Sequence, residues 1–183
     1  MSKNTIRKII LGHRDALSPT DRASMSAALS ALFLSSDVFG AATTLALYSA
    51  VRSEVATGAI FAAAVRVGKR VLYPRTTGET LEFVTVESLD DLEVSRFGIL
   101  EPLRGLSIPL TEIDLIVLPG VAFDQRGIRL GYGLGCYDRA LATENRPTLV
   151  GLAYDFQVVP SLTREEHDIP VDLVVTERKI FSI

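Results

Sequence analysis

The chain of 183 residues is 48% hydrophobic and 22% charged, a balance that suits one globular domain spanning 1–183 with no need of a disulfide or metal staple. Its 19 basic and 22 acidic side chains leave a net charge of −3, which points to no nucleic-acid or membrane partner. The one cysteine, Cys136, excludes an internal disulfide framework and a cysteine-cluster zinc site. The basic start, Met1 to Lys8, leads into no apolar run, and the alanine-rich stretch from Ala59 to Val65 is far short of the roughly 20 residues of a spanning helix. A cytoplasmic protein without an ordinary signal peptide is the expectation.

In chain order, Ile6, Ile9, Ile10, His13 and Leu17 recur at helical spacing and predict a first amphipathic helix, with Lys3, Arg7 and Arg14 off its apolar stripe. Ser18-Pro19-Thr20-Asp21 reads as an N-cap, a proline at the first helical position and a first-turn acid, opening a second helix to about Ser35. Thr44 to Tyr48 is a short apolar run that fits a buried strand. After a loop from Ser49 to Ser53, a helix is predicted to open at Glu54 and to stop at Gly68. Val71 to Pro74 is a second strand, and Leu81 to Val86 alternates as a half-exposed strand does. Ile113 to Leu118, Thr148 to Tyr154, Leu173 to Val175 and Ile180 to Ile183 are further strands, and Tyr137 to Ala142 a further helix. Strands separated by helices predict a three-layer α/β/α fold with a largely parallel central sheet and helices on both faces. Ligands of such sheets bind beyond the carboxyl ends of the strands, so the loops after Tyr48 and Leu118 draw attention.

The segment from Gly127 to Arg139 carries the most chemistry. Gly131, Gly133 and Gly135 alternate, so their backbone N–H groups can converge on an anion without Cβ obstruction, just before the predicted helix. Arg129 offers a planar cation to a phosphate, and Asp138 a hard oxygen to Mg²⁺. The pattern is neither a Walker A loop nor a dinucleotide-binding fingerprint, and taken alone it fits a tight turn equally well.

The wider constellation resembles the 5-formyltetrahydrofolate cyclo-ligase family along nearly the whole chain. The matching pieces are Lys3 and Arg7; Tyr48 with Glu54-Val55; Gly68-Lys69 and Tyr73-Pro74; and Gly98-Ile99-Leu100-Glu101-Pro102. They continue with Pro119 to Asp124, Gly127, Arg129 to Gly133, Gly135, Tyr137-Asp138-Arg139, and His167 to Asp172. Departures are Cys136 in place of the usual aromatic, Leu134 where glycine or lysine is common, and Ala56 where an acid is usual.

This resemblance implies conversion of 5-formyltetrahydrofolate and ATP to 5,10-methenyltetrahydrofolate, ADP and phosphate. It implies ATP contacts from Lys3, Arg7, Arg129, Leu130, Gly131, Tyr132, Gly133, Leu134, Gly135, Cys136 and Tyr137. Folate contacts would come from Ser49, Glu54 and the Tyr132–Cys136 stretch, and Mg²⁺ from Asp138 and Asp172. The implied partners are the small molecules, a reduced folate and ATP, for a monomer or small homo-oligomer. Two other readings remain open here: another phosphate-ligand enzyme on a related scaffold, such as a sugar-phosphate isomerase-like protein, and a non-catalytic folate or nucleotide binder. Each residue also has a plain role. Lys3 and Arg7 suit a solvated helix face, Glu54 a helix first turn, Asp172 a loop end, and His167 beside Asp168 a structural pair.

Overall fold

A computed structural model describes residues 1–143 and 145–183. Its first part is helical: α1 (Lys3–Ala16), α2 (Pro19–Leu34) and α3 (Asp37–Ala41). Each opens on a serine, Ser2, Ser18 and Ser36, whose hydroxyl accepts an otherwise unpaired backbone N–H of the first turn. Next come β1 (Thr44–Ala46), α4 (Gly58–Arg66), β2 (Arg70–Thr77), β3 (Thr80–Thr85), β4 (Glu93–Val94), β5 (Leu100–Glu101) and β6 (Ser107–Ile108). The chain continues through β7 (Leu115–Leu118), β8 (Ala122–Asp124), β9 (Arg129–Leu130) and α5 (Cys136–Ala140). It closes with β10 (Thr148–Leu152), β11 (Val158–Val159), β12 (Leu173–Val175) and β13 (Ile180–Ser182).

The central sheet has eight strands in the order β13-β12-β10-β7-β1-β2-β3-β6. From β12 to β2 the pairings are parallel, and β13, β3 and β6 extend the two edges antiparallel. The parallel middle is covered on both faces, so its strands are apolar at their centres; all four residues of β7 are fully buried. An α/β fold around a largely parallel sheet is therefore what forms.

The two faces are covered differently. Leu29 and Phe33 of α2, Phe39 of α3 and Ile60, Phe61 and Ala64 of α4 pack with Leu45, Leu115 and Val117 on one face. The other face meets Tyr137 and Leu141 around α5, Phe123 of β8, and Ile169 and Val171. In place of the full helical layer expected there, one five-residue helix and a small β11-β8-β9 sheet do the covering. Helix α1 packs Ile6 and Ile10 on that small sheet, against Val121, Ala122, Ile128, Leu130 and Leu162. Phe123 lies so close to Gly120 and Gly151 that a Cβ at either would collide with its ring.

The helix before Gly68 starts at Gly58, four residues later than Glu54. The reason is local. The Tyr48 hydroxyl donates to the Val55 carbonyl, Thr57 donates to the Tyr48 carbonyl, and the Glu54 carboxylate accepts the Val51 N–H. These bonds fold 49–57 back on the end of β1 and compete with a helical ladder. Arg14, expected off the apolar stripe, is fully buried. Among the described residues no helix is long and apolar enough to cross a membrane.

Candidate functional site

Chain segments from distant parts of the sequence meet beyond the carboxyl ends of β1 and β7: the start of α1, the 49–57 loop, the Pro119–Gly120 turn and the glycine segment after β9. That turn is held by Gln157, whose buried amide donates to the carbonyls of Gly120 and Val121 at 2.9 Å each. Asp124, at the end of β8, anchors the chain beyond the turn. Fully buried, it accepts the N–H groups of Arg126, Ile128 and Leu162 and pairs with the Arg126 guanidinium at 2.8 Å. Burial alone would raise its pKa, but these donors hold it below the usual carboxylate value.

From that anchor the chain runs through β9 into the glycine segment. Gly133 and Gly135 take positive φ values of 103° and 65°, and Gly135 caps α5 in the left-handed region that L side chains avoid. The segment's outer edge is open, with Tyr132 40% and Leu134 71% exposed. Its backbone is tied from outside: Arg7 Nε donates to the Gly131 carbonyl at 3.0 Å, and Arg139 Nη2 to the Leu134 carbonyl at 2.7 Å.

Arg129 and Asp138 face one another within this turn. Nη2 of Arg129 lies 3.1 Å from both carboxylate oxygens, and the guanidinium carbon sits 5.3 Å from the centre of the Tyr137 ring. The Nε of Arg129 is buried without a hydrogen-bond partner, so the guanidinium has unused donor capacity. Cys136, at the first position of α5, is half-buried; its Sγ lies 4.0 Å from the Leu134 carbonyl and 3.8 Å from Arg139 Nη2.

On the opposite wall stands the 49–57 loop. Glu54 is 9% exposed, and its Oε2 accepts the Val51 N–H at 3.0 Å. Burial raises its pKa, against the Val51 N–H, the Arg14 charge, the Tyr132 hydroxyl and the Arg52 charge, which all favour the carboxylate. Ser49 is turned away to the β5 strand, donating to the Leu100 carbonyl at 2.6 Å. Next to β5, an open cleft of about 240 Å³ is lined by Thr76, Val94, Ser95, Arg96, Phe97, Glu101 and Leu103. The buried Glu101 forms one wall by accepting both the N–H and the hydroxyl of Thr76.

Two expected site residues stand elsewhere. Lys3 is on the same helix as Arg7, but its ammonium is committed to Glu165 at 3.0 Å and Asp168 at 3.1 Å. Partial burial opposes its charge, and those two acids more than compensate, so its pKa is raised. Asp168 therefore serves Lys3 and the Glu165 N–H, while His167 touches Glu165 at 3.2 Å on the surface. These three side chains could be read as a metal cluster, but the Lys3 ammonium already lies between two of them.

Asp172 is the larger departure. It precedes β12 at the amino end of the parallel strands, with its N–H on the Leu149 carbonyl. Its carboxylate takes both Arg146 terminal nitrogens, at 2.6 and 2.7 Å, and the Leu149 N–H at 2.8 Å. Asp138, bonded through Arg129 to the turn after β7, belongs to the carboxyl end. Asp138 does accept the Ile169 N–H at 3.3 Å, three residues before Asp172, but the Asp172 carboxylate itself is committed to Arg146 and Leu149.

Sequence reasoning missed Arg14, Ser53, Asp124 and Gln157 as supports of this site. Of these, Ser53 and Asp124 stood in segments already singled out, and none carries a spacing signal of its own.

Comparison with known proteins bears directly on this arrangement. A sequence profile of the 5-formyltetrahydrofolate cyclo-ligase family matches residues 1–177. The chain is 33% identical over 182 residues to the Escherichia coli K12 protein named 5-formyltetrahydrofolate cyclo-ligase, covering 95% of this chain and 100% of that one. Against the Haemophilus influenzae protein of the same name the identity is 36% over 142 residues, covering 73% and 76%. Among solved structures, the 5,10-methenyltetrahydrofolate synthetase of Aquifex aeolicus superposes with a TM-score of 0.89 at 36% identity, covering 100% of this chain and 93% of that one. The synthetase of Mycoplasma pneumoniae superposes with a TM-score of 0.78 at 26% identity, covering 97% and 99%. A glycine turn tied to Arg7, a buried carboxylate facing it and matches over nearly the full length converge on one conclusion: the chain belongs to the 5-formyltetrahydrofolate cyclo-ligase family.

Proposed function

We infer that the protein is an ATP-dependent ligase that closes 5-formyltetrahydrofolate to 5,10-methenyltetrahydrofolate with release of ADP and phosphate. The observation that carries the reading is the meeting of an arginine-tied glycine turn with the buried carboxylate of Glu54 at one edge of the sheet, in a chain of this family.

The chemistry explains the need for ATP. The formyl carbon on N5 is amide-like, and closure by N10 must expel its oxygen, a poor leaving group. Attack of that oxygen on the γ-phosphorus breaks the bond to ADP and leaves an N5 iminium bearing a phosphate ester on carbon. N10 then attacks that carbon, phosphate departs with the oxygen, and loss of the N10 proton gives the methenyl bridge. Such a sequence requires positioning and charge neutralisation more than covalent catalysis by the protein.

Arg7 and Arg129 supply cations to the phosphates, and the Gly131–Gly135 backbone supplies N–H donors. Helix α5 has only five residues, so the turn itself contributes more than a helix dipole does. Glu54 accepts from N–H groups of the pterin, and Tyr132 and Tyr137 flank the reacting group between nucleotide and folate. Lys3 contributes to phosphate binding only by leaving Glu165 and Asp168.

A divalent cation fits one of the two expected carboxylates. Asp138 stands at the phosphate edge beside an arginine with unused donor capacity, and Mg²⁺ is commonly held by one carboxylate plus phosphate oxygens. Asp172 does not fit, because Arg146 and Leu149 fill its acceptor positions on the far edge. Bound Mg²⁺ supplies charge neutralisation at the triphosphate.

The test is direct. Absorbance of the methenyl product is followed with purified protein, 5-formyltetrahydrofolate and Mg²⁺, with and without ATP. Product formed only with ATP, matched by ADP, is the expected result. No product under either condition rejects the reading.

A further inference from the structure

Arg14 is a fully buried arginine on α1 whose hydrogen bonds go to neutral groups. Its Nη2 donates to the Tyr132 hydroxyl at 2.6 Å and its Nε to the Ser53 hydroxyl at 3.0 Å. Taking a guanidinium out of water is costly unless charge and hydrogen bonds compensate, yet among the described residues Arg14 has no direct ion pair. The compensating charges nearby are Glu54, one residue beyond Ser53, and Asp15 of α1, whose carboxylate accepts the Ser53 hydroxyl.

The same place holds a second anomaly. Arg52 is the one non-glycine residue with positive φ among the described residues, at 55°, and its guanidinium stands 5.7 Å from the centre of the Tyr132 ring. Left-handed backbone in a residue with a Cβ is strained and persists where surroundings impose it. Tyr132 is thus bonded by one arginine at its hydroxyl and approached by another over its ring.

We propose that Arg14 is a positioning residue for the folate half of the site: from inside α1 it ties the Tyr132 hydroxyl of the glycine turn to the Ser53–Glu54 segment, setting the gap in which the substrate ring sits. This rests on the function inferred above, which places folate against Glu54. Charged and titratable groups around Glu54 come from every neighbouring element: Arg14 and, through Ser53, Asp15 of α1, Arg52 of its own loop, Tyr48 beyond β1, Tyr132 of the glycine turn and Tyr137 of α5.

The experiment compares wild type, Arg14→Gln, Arg14→Lys, Tyr132→Phe and the Arg14→Gln/Tyr132→Phe double variant. Readouts are steady-state KM for each substrate, the pH profile, and calorimetric binding of 5-formyltetrahydrofolate. Arg14→Gln should raise the folate KM and Kd at least about tenfold and change the ATP KM less than about twofold. Its acidic limb for folate kcat/KM should move to higher pH, because Glu54 loses an opposing positive charge. Arg14→Lys keeps the charge but not the two-pronged geometry, so it should leave that limb in place while the folate KM still rises. The double variant should be no worse than the worse single one, because both remove the same tie.

Multiplying effects in the double variant, or equal losses for ATP and folate, overturn the proposal. If Arg14→Gln does not fold, Arg14→Lys and Tyr132→Phe decide it: folate KM within twofold of wild type in both rejects it. A wild-type chain that binds 5-formyltetrahydrofolate without turnover defeats the catalytic reading and leaves the calorimetric comparison to decide this one. A wild-type chain that does not bind it overturns both.

Discussion

The guanidinium of Arg129 reaches both oxygens of Asp138 at 3.1 Å, and its remaining Nε is buried with no partner. Asp138 also accepts the Ile169 N–H at 3.3 Å, and its carboxylate keeps unfilled acceptor positions. On the function proposed above, a triphosphate would offer the arginine stronger acceptors, and Asp138 would offer its carboxylate to a divalent cation.

The first prediction concerns that pair. Asp138→Asn retains size and removes the charge, so the Mg²⁺ concentration for half-maximal activity should rise and kcat fall by about 10². A Mg²⁺ titration of initial rates checks it. An unchanged titration removes Asp138 from the metal site.

Asp172 leads to a different expectation. Its burial would raise its pKa, but Arg146 and the Leu149 N–H hold it below the usual value of 3.8. A carboxylate depressed in the folded state binds fewer protons there than when unfolded, so its contribution is present above pH 3.8 and lost as pH falls through the folded value. Asp172→Asn should cost about 1–2 kcal/mol at neutral pH, a charged hydrogen-bond set discounted for its partial exposure. Thermal melts of both proteins should converge as pH falls below the folded value, and the Mg²⁺ titration should be unchanged. A raised Mg²⁺ requirement in Asp172→Asn would return this residue to the metal site.

At the amino terminus the two cations should separate. Arg7 touches the glycine turn at the Gly131 carbonyl, whereas Lys3 is held by Glu165 and Asp168. Arg7→Ala should raise the ATP KM by roughly tenfold or more, the scale of one charge-assisted contact. Lys3→Ala should raise it less, because its phosphate contact competes with two existing ion pairs. Equal effects on ATP KM would show that Lys3 leaves those acids freely.

Much of this architecture was legible in the chain because its signals are local. The Ser18-Pro19 cap and the Leu173–Val175 strand are set by neighbours in sequence and form as expected, and the strand expected over Ile113–Leu118 forms over Leu115–Leu118. The glycine spacing likewise identified the turn now seen against Arg7. What was not legible depends on distant partners. The first turn expected at Glu54 is displaced by bonds from Tyr48 and Thr57, Arg14 is buried by Tyr132 and Ser53, and Asp172 is captured by Arg146. A carboxylate in a motif reads the same whether it faces a cation site or a buried arginine. Only the topology, which puts Asp172 at the amino ends of the strands, separates the two.

Cys136 provides the last expectation. A nucleophilic thiol needs a neighbouring base or cation to form its thiolate. The contacts of this sulfur are the Leu134 carbonyl at 4.0 Å and Arg139 Nη2 at 3.8 Å, a cation but no base to take the thiol proton. Neither histidine of the chain contacts it: His167 is on Glu165, and the His13 ring packs edge-on with Phe156. Phosphoryl transfer to the formyl oxygen needs no thiolate, so Cys136→Ser should retain kcat within about threefold. Cys136→Tyr adds an aromatic face at a half-exposed position beside the open Leu134, and should tighten folate by roughly 1 kcal/mol, about fivefold in Kd. Calorimetry with 5-formyltetrahydrofolate measures the second effect and steady-state rates the first. A folded but inactive Cys136→Ser protein would require a covalent step through sulfur and would displace the direct transfer argued above.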